Sequence, residues 1–232
     1  MSDATNAETD VDVVPFGELV LLRHGQTLWS ESGQYTGRTN IPLTDEGGAQ
    51  AVAAGVRLRA AYPDGFATVI TSDLRRAVQT AKLAGFEPSI ETPELEEWDY
   101  GGAEGRTREE IFQAMGMQWD VWADGPLSLS DALSGEHVEM FPDGSEVTVV
   151  NGRGESLEDA ATRTRRAIEL AMPTLQAGGN VLMVAHAHIL RILTSQWLEL
   201  EPVFGRKLKL DTAQYCVLGW YKGDHVIKGW NK

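Results

Sequence analysis

The segment LVLLRHGQT, residues 19–27, sets the architecture of this chain. Its first four residues form a short aliphatic run, which is typical of a parallel strand buried on both faces. The run ends at Arg23-His24-Gly25, where the glycine indicates a loop. A second aliphatic run, residues 181–185, ends in the same way at His186. Because helical patterns separate such runs, the sequence predicts an α/β fold of three layers, with a mostly parallel sheet and helices on both faces.

Helix-capping residues and helix-breaking prolines and glycines predict further elements. Thr44 begins a predicted helix that ends near residue 61, before Pro63-Asp64-Gly65. The remaining predicted elements are a strand at 67–71, helices at 73–84, from Ser156 and at 189–198, a short helix begun by a capping box of Thr107 and Glu110, and a closing hairpin of 216–221 with 225–229. At 232 residues we expect one domain, residues 18–232, after an acidic, disordered arm at 1–17. Residues 127–150 are polar and mixed, and they predict an insertion with its own hairpin or a flap.

Composition excludes several classes of function. The formal net charge of −14 argues against nucleic acid and anionic membranes as partners. The single cysteine, Cys216, rules out an internal disulfide framework and a CxxC pair. No stretch approaches the ~20 apolar residues of a membrane span, and the N-terminus lacks the pattern of a signal peptide. We therefore expect a cytoplasmic protein.

The candidate chemistry lies where the predicted strands end. His24 and His186 both follow buried strands, and the site of an open α/β sheet lies beyond the carboxyl ends of its strands. Arg23 and the pair Arg75-Arg76 accompany them, and arginines at strand mouths suit a clamp for phosphate. Glu97 lies in a loop with aromatic neighbours, which favour a protonated carboxyl of the kind that a general acid needs.

Five ordered blocks resemble the histidine phosphatase superfamily, which includes the cofactor-dependent phosphoglycerate mutases. The blocks, which together extend from about residue 19 to 221, are LRHGQT (22–27), YTGR (35–38) with PLT (42–44), TSDLRRA (71–77), GES (154–156), and AH (185–186) with LR (190–191). The resemblance implies the phosphoglycerate mutase-like fold. Segments around residues 29–37, 97–101 and 119–125 resemble the branch of broad-specificity acid phosphatases and sedoheptulose-bisphosphatases.

Carried over position by position, the resemblance implies a role for each site residue. His24 would form a phosphohistidine, and Glu97 would protonate the leaving oxygen. Arg23, Arg76 and His186 would hold the transferring phosphoryl group, whereas Arg75 would be a surface neighbour. Gln34, Thr36 and Gly37 would line the substrate loop. Ser30 occupies a place where the family often has Asn, and its shorter side chain would loosen the hold on phosphate or leave room for a water.

Physical chemistry supports the same assignment. Phosphoryl transfer needs in-line positioning and positive charge around three oxygens. Arg23, Arg76 and a charged His186 would supply that charge, so we expect neither metal nor other cofactor. His24 would attack as a neutral imidazole whose other nitrogen donates to a backbone carbonyl.

The sequence therefore predicts a metal-independent phosphomonoesterase for small phosphorylated metabolites, with sugar phosphates favoured. The main alternative is a cofactor-dependent mutase. A mutase would need extra cations near Glu97, but Trp98 and Asp99 follow it, so Arg106 or Arg108 would have to substitute. A metallohydrolase using His186 and His188, and a non-catalytic binding module, are remote alternatives. Members of the family often dimerise, so a homodimer stays open.

Overall fold

The computed structural model describes residues 16–129, 133–141 and 144–232. The strands in these ranges are β1 (Leu19–Arg23), β2 (Thr68–Ser72), β3 (Ile90–Thr92), β4 (Gly135–Met140), β5 (Glu146–Asn151), β6 (Val181–Ala185), β7 (Tyr215–Tyr221) and β8 (Asp224–Gly229). The helices are α1 (Leu28–Ser32), α2 (Asp45–Ala61), α3 (Arg75–Leu83), α4 (Arg108–Met115), α5 (Leu157–Gln176) and α6 (Ala187–Trp197). Short 3-10 turns connect several of them, among them Pro93–Leu95.

Six strands form the central sheet in the order β3-β2-β6-β1-β7-β8. The first four are parallel, and β7 and β8 extend the sheet as an antiparallel hairpin. The mostly parallel sheet with helices around it confirms the predicted α/β fold. In the register of β1 with β6, Arg23 lies opposite Ala185. The residues that follow, His24 and His186, therefore leave the sheet side by side.

Alternate residues of β1 bury opposite faces of the sheet. Leu19 and Leu21 belong to the core that includes the apolar faces of α5 and α6. Val20 and Leu22 belong to a second core, with residues of α2 and α3. All four side chains are fully buried, and burying one such side chain stabilises the fold by roughly 1.5–3 kcal/mol. The central strand thus joins the two helical layers and fixes the position of His24.

Helix starts agree with the capping signals. The side chain of Thr44 accepts a hydrogen bond from the N–H of Gly47, and that of Ser156 from the N–H of Asp159. Two predicted helix starts were wrong by two residues. The helix predicted at 73–84 begins at Arg75 because Leu74 is extended. The helix predicted from 189 begins at Ala187 because His186 takes the N-cap position. The sequence also missed two short elements, α1 and β3.

The segment predicted as an insertion or flap contains an antiparallel hairpin, with β4 paired to β5. The hairpin packs on the site side of the molecule, where the ring of Phe141 lies 6.4 Å from that of Trp29. The predicted N-terminal arm lies outside the described residues up to position 15. Phe16 is described, and its ring contacts Trp220 at a centroid distance of 4.8 Å. Within the described ranges, no helix has the length and apolar character needed to cross a bilayer.

Candidate active site

A cavity of about 360 Å³ opens at the carboxyl ends of β1 and β6. Six residues predicted for the site line it: Arg23, His24, Ser30, Gln34, Thr36 and Glu97. The other three, Arg76, His186 and Gly37, are buried next to it and are not among its lining residues. The sheet therefore brings the predicted set together in two layers, one that faces the cavity and one behind it.

His24 is held in one tautomer. Its Nδ1 lies 2.7 Å from the carbonyl oxygen of Gly25, and because a carbonyl only accepts, this nitrogen carries the proton. The lone pair is then on Nε2. Burial lowers the pKa of His24 well below its usual value, and the charges of Arg76 and Arg23 act in the same direction. The ring is thus neutral and oriented, with the lone pair of Nε2 free of the hydrogen bond to Gly25.

His186 lies beside His24, with the two ring centroids 5.1 Å apart. Its Nδ1 accepts a hydrogen bond of 3.1 Å from Nε of Arg76, so its proton is on Nε2. That N–H is fully buried and has no protein partner. Burial lowers the pKa of His186 well below its usual value, and the charge of Arg76 adds to this effect. The expectation of a charged His186 was therefore wrong, and the side chain instead offers a neutral N–H donor next to His24.

Arg76 is fully buried and holds the loop of residues 36–39. Its Nη1 donates to the carbonyl of Thr39 at 2.9 Å, and its Nη2 donates to those of Thr36 and Gly37 at 3.3 and 2.8 Å. Burial lowers the pKa of Arg76 to about 10, so the group is charged at neutral pH. Arg75 is exposed, as expected for a surface neighbour.

Glu104 holds the same loop through its other backbone groups. It is almost fully buried, and its carboxylate accepts hydrogen bonds from the N–H of Gly37 (2.8 Å) and of Thr39 (2.9 Å). A Cβ at Gly37 would approach this carboxylate to 2.6 Å and the carbonyl of Trp98 to 2.7 Å. The buried carboxylate of Glu104 and the buried guanidinium of Arg76 thus hold the loop through its N–H groups and its carbonyls. Because a Cβ would collide with its neighbours, residue 37 needs to be glycine.

Glu97 reaches the cavity from the loop after the turn Pro93–Leu95. Its Oε1 accepts from the N–H groups of Trp98 (3.0 Å) and Ile189 (2.8 Å), and its Oε2 accepts from that of His188 (3.0 Å). Two of these donors, the N–H groups of His188 and Ile189, belong to the first turn of α6. The carboxyl group is therefore held at the cavity, near the ends of the strands that precede His24 and His186.

Three further side chains line the cavity: Arg108, His188 and Arg191. From the sequence, Arg108 and His188 were named only in the alternatives, the mutase and the metallohydrolase, and Arg191 was given no role of its own. His188 lies at their centre. Its Nδ1 is 2.6 Å from the hydroxyl of Tyr100, and burial lowers its pKa well below the usual value, with further lowering from Arg191, Arg23 and Arg108. A signal was present, since His188 and Arg191 lie only two and five residues after His186 in sequence. Their placement in the cavity depends on the fold of α6.

Ser30 lines the cavity, but its hydroxyl is engaged locally. It accepts from the N–H of Thr27 (2.9 Å), while the N–H of Ser30 donates to the hydroxyl of Thr27 (3.2 Å), and these two bonds form the capping box of α1. The hydroxyl of Ser30 also donates to the carbonyl of Thr27 (2.9 Å). Trp98 and Asp99 do not line the cavity. Trp98 is fully buried, and Asp99 accepts from the N–H of Gly101 at 2.9 Å.

Within the part of the chain that the structure describes, no three His, Cys, Asp or Glu side chains are grouped closely enough to hold a metal ion. His186 and His188 are directed to different partners, Arg76 and Tyr100.

Known proteins resemble this chain in sequence and in structure. The sequence model of the histidine phosphatase superfamily, branch 1, matches residues 19–232. The chain is 35% identical over 205 residues to an acid phosphatase of Mycobacterium tuberculosis, a match that covers 88% of this chain and 87% of that protein. It is 33% identical over 210 residues to a 2,3-bisphosphoglycerate-dependent phosphoglycerate mutase of Gloeobacter violaceus, covering 86% and 82%. Among solved structures, the product of an open reading frame of Mycobacterium tuberculosis superimposes with a TM-score of 0.76 at 31% identity, covering 93% of this chain and 97% of that one.

Proposed function

This chain belongs to the histidine phosphatase superfamily, and from that premise we propose that it is a metal-independent phosphomonoesterase for small phosphorylated metabolites. One observation carries the proposal. A neutral His24 and the unpartnered N–H of His186 lie side by side at the ends of β1 and β6, with the carboxyl group of Glu97 lining the same cavity.

In the first step, Nε2 of His24 attacks phosphorus and the bond from phosphorus to the ester oxygen breaks. Glu97, as the acid, gives its proton to the departing oxygen, and the alcohol leaves. The Nδ1–H bond to the carbonyl of Gly25 keeps His24 oriented while its ring becomes positively charged.

In the second step, water attacks the phosphohistidine. An oxygen–phosphorus bond forms, the nitrogen–phosphorus bond breaks, and Glu97 accepts a proton from the water. Inorganic phosphate leaves, and the enzyme returns to its starting state.

Charge on the transferring group is balanced by protein donors. Nε of Arg23 is buried without a protein partner, as is Nε2 of His186, and both N–H groups suit phosphoryl oxygens. Arg76 acts from behind by orienting His186 and by its buried positive charge. Gln34 and Thr36 line the route to the site, and Gly37 allows the loop to close on Glu104. Ser30 acts through the shape of α1, because its hydroxyl is engaged in the capping box.

The decisive experiment combines phosphate release with trapping of the intermediate. The wild-type protein should release phosphate from sugar phosphates and p-nitrophenyl phosphate, and a brief incubation should leave an acid-labile phosphohistidine. His24→Ala should remove both signals while thermal unfolding stays cooperative. A phosphoenzyme that survives His24→Ala would refute the assignment.

One observation supports the weaker alternative, a mutase. Arg108 and Arg191 place two cations on the cavity, although Trp98 and Asp99, which follow Glu97, supply none. Arg108 is exposed and lies 3.8 Å from Asp120, so it is accessible to an anionic substrate group. We expect phosphate release to predominate, with interconversion of the two phosphoglycerates at least about a hundredfold less efficient than in a true mutase, which corresponds to about 2.7 kcal/mol in transition-state free energy. Rapid interconversion that depends on bisphosphoglycerate, with negligible phosphate release, would establish the mutase instead.

A further inference from the structure

The loop that carries Glu97 is held by an arginine outside the cavity. Arg163 lies in the second turn of α5, is 5% exposed, and donates five hydrogen bonds. Three of them go to successive parts of this loop: Nη1 to the carbonyls of Glu94 (3.0 Å) and Glu96 (2.6 Å), and Nη2 to the carbonyl of Glu97 (3.0 Å). One guanidinium group therefore holds three backbone carbonyls within the four residues that end at Glu97.

Glu155 completes this unit. Its Oε1 accepts from Nε of Arg163 at 2.7 Å, and its Oε2 accepts from Nη2 at 3.0 Å. Its backbone joins the same loop, because its N–H donates to the carbonyl of Asp99 (3.0 Å) and its carbonyl accepts from the indole N–H of Trp98 (2.9 Å). The pair Arg163–Glu155 thus contacts the loop before and after Glu97.

We propose that Arg163, oriented by Glu155, is the positioning residue that holds the Glu97 carboxyl group at the leaving oxygen. The inference rests on the proposed function, in which Glu97 is the acid. The side chain of Glu97 is anchored to α6 and its backbone to α5, so the geometry of proton donation requires both anchors. Lysine cannot replace this arginine, because a single ammonium group lacks the planar fork that reaches three carbonyls and a carboxylate.

The proposal makes a prediction that a purely structural role does not. A displaced acid slows reactions whose leaving group needs a proton, whereas an aryl oxide leaves without one. Arg163→Lys should lower kcat/KM for an alkyl phosphate such as glycerol 2-phosphate by about tenfold to a hundredfold. For p-nitrophenyl phosphate the loss should stay within about threefold, with KM nearly unchanged. We compare kcat/KM because it reports the first transfer, whichever step limits kcat.

Arg166 offers a matched control on the same helix. It donates 2.9 Å hydrogen bonds from Nε and Nη2 to the side chain of Glu94 at the surface, and it contacts no carbonyl of the loop. Arg166→Lys should leave both substrates within about twofold of wild type, as expected for an exposed ion pair. Glu155→Gln should show the selective loss in weaker form, since glutamine keeps the shape but loses one acceptor. If Arg163→Lys does not fold, Glu155→Gln decides the question.

Glu97→Gln separates failure of this inference from failure of the proposed function. A selective loss on alkyl phosphates in Glu97→Gln, but equal losses or none in the folded Arg163→Lys and Glu155→Gln variants, would overturn the positioning role alone. Equal losses on both substrates in Glu97→Gln would remove the acid role on which it rests. A selective loss in all three variants, with Arg166→Lys unaffected, supports the proposal.

Discussion

Acid should unfold this protein earlier than its carboxylates alone would predict, because three buried histidines are held neutral. Burial lowers the pKa of His24, His186 and His188 well below the usual 6.5 in the folded state. The unfolded chain therefore binds more protons than the folded chain below about pH 6.5, and the free energy of unfolding falls as the pH falls. The stability is fully present above pH 6.5 and is lost from there down to the folded pKa values.

The size of the effect follows from the linkage relation. Each histidine that stays neutral in the fold lowers the free energy of unfolding by about 1 kcal/mol between pH 6.5 and pH 5.5, so three lower it by about 3 kcal/mol. This is a large share of the roughly 5–15 kcal/mol that separates folded from unfolded domains. Urea unfolding followed by tryptophan fluorescence, from pH 5.5 to 8 in buffers without phosphate, measures it directly.

Single substitutions identify the responsible groups. His188→Gln should reduce the pH slope by about a third, that is by about one proton. A wild-type slope of less than one proton between pH 5.5 and 6.5 would refute the claim that these histidines are neutral in the fold.

Three further predictions concern the site. Glu97→Gln should reduce kcat/KM for alkyl phosphates by about 10²–10⁴-fold and for p-nitrophenyl phosphate far less, and equal losses in steady-state assays would argue against the acid role. Glu104→Gln should lower the free energy of unfolding by about 1–3 kcal/mol, because an NH2 group that cannot accept replaces one of the two buried carboxylate oxygens, and an unchanged urea midpoint would show that the carboxylate contributes little to holding the loop. EDTA should leave phosphatase activity intact while vanadate inhibits it, and loss of activity in EDTA that zinc restores would favour a metal site.

Local pattern was enough to predict the two histidines. His24 and His186 each follow a buried aliphatic strand, and parallel pairing of those strands suffices to place them together. The hydrogen-bond partners of the arginines could not be predicted in this way. Arg76 and His186 are separated by 110 residues, and Arg163 and Glu97 by 66, so these hydrogen bonds depend on how helices pack around the sheet. The charge of His186 was mispredicted for the same reason, since its neutrality results from burial beside Arg76.

The partners of these arginines explain how an acidic chain can keep a positively charged site. Arg23 donates to the carbonyl of Leu210, Arg76 to three loop carbonyls, and Arg191 to those of Gly205 and Arg206. A carbonyl satisfies an N–H group without cancelling the charge, so the positive potential remains available for a phosphate dianion. Arg163 is different, because Glu155 neutralises it directly. Its charge is cancelled where only its geometry is needed, and we infer that the chain separates the task of attracting the phosphoryl group from the task of placing the acid.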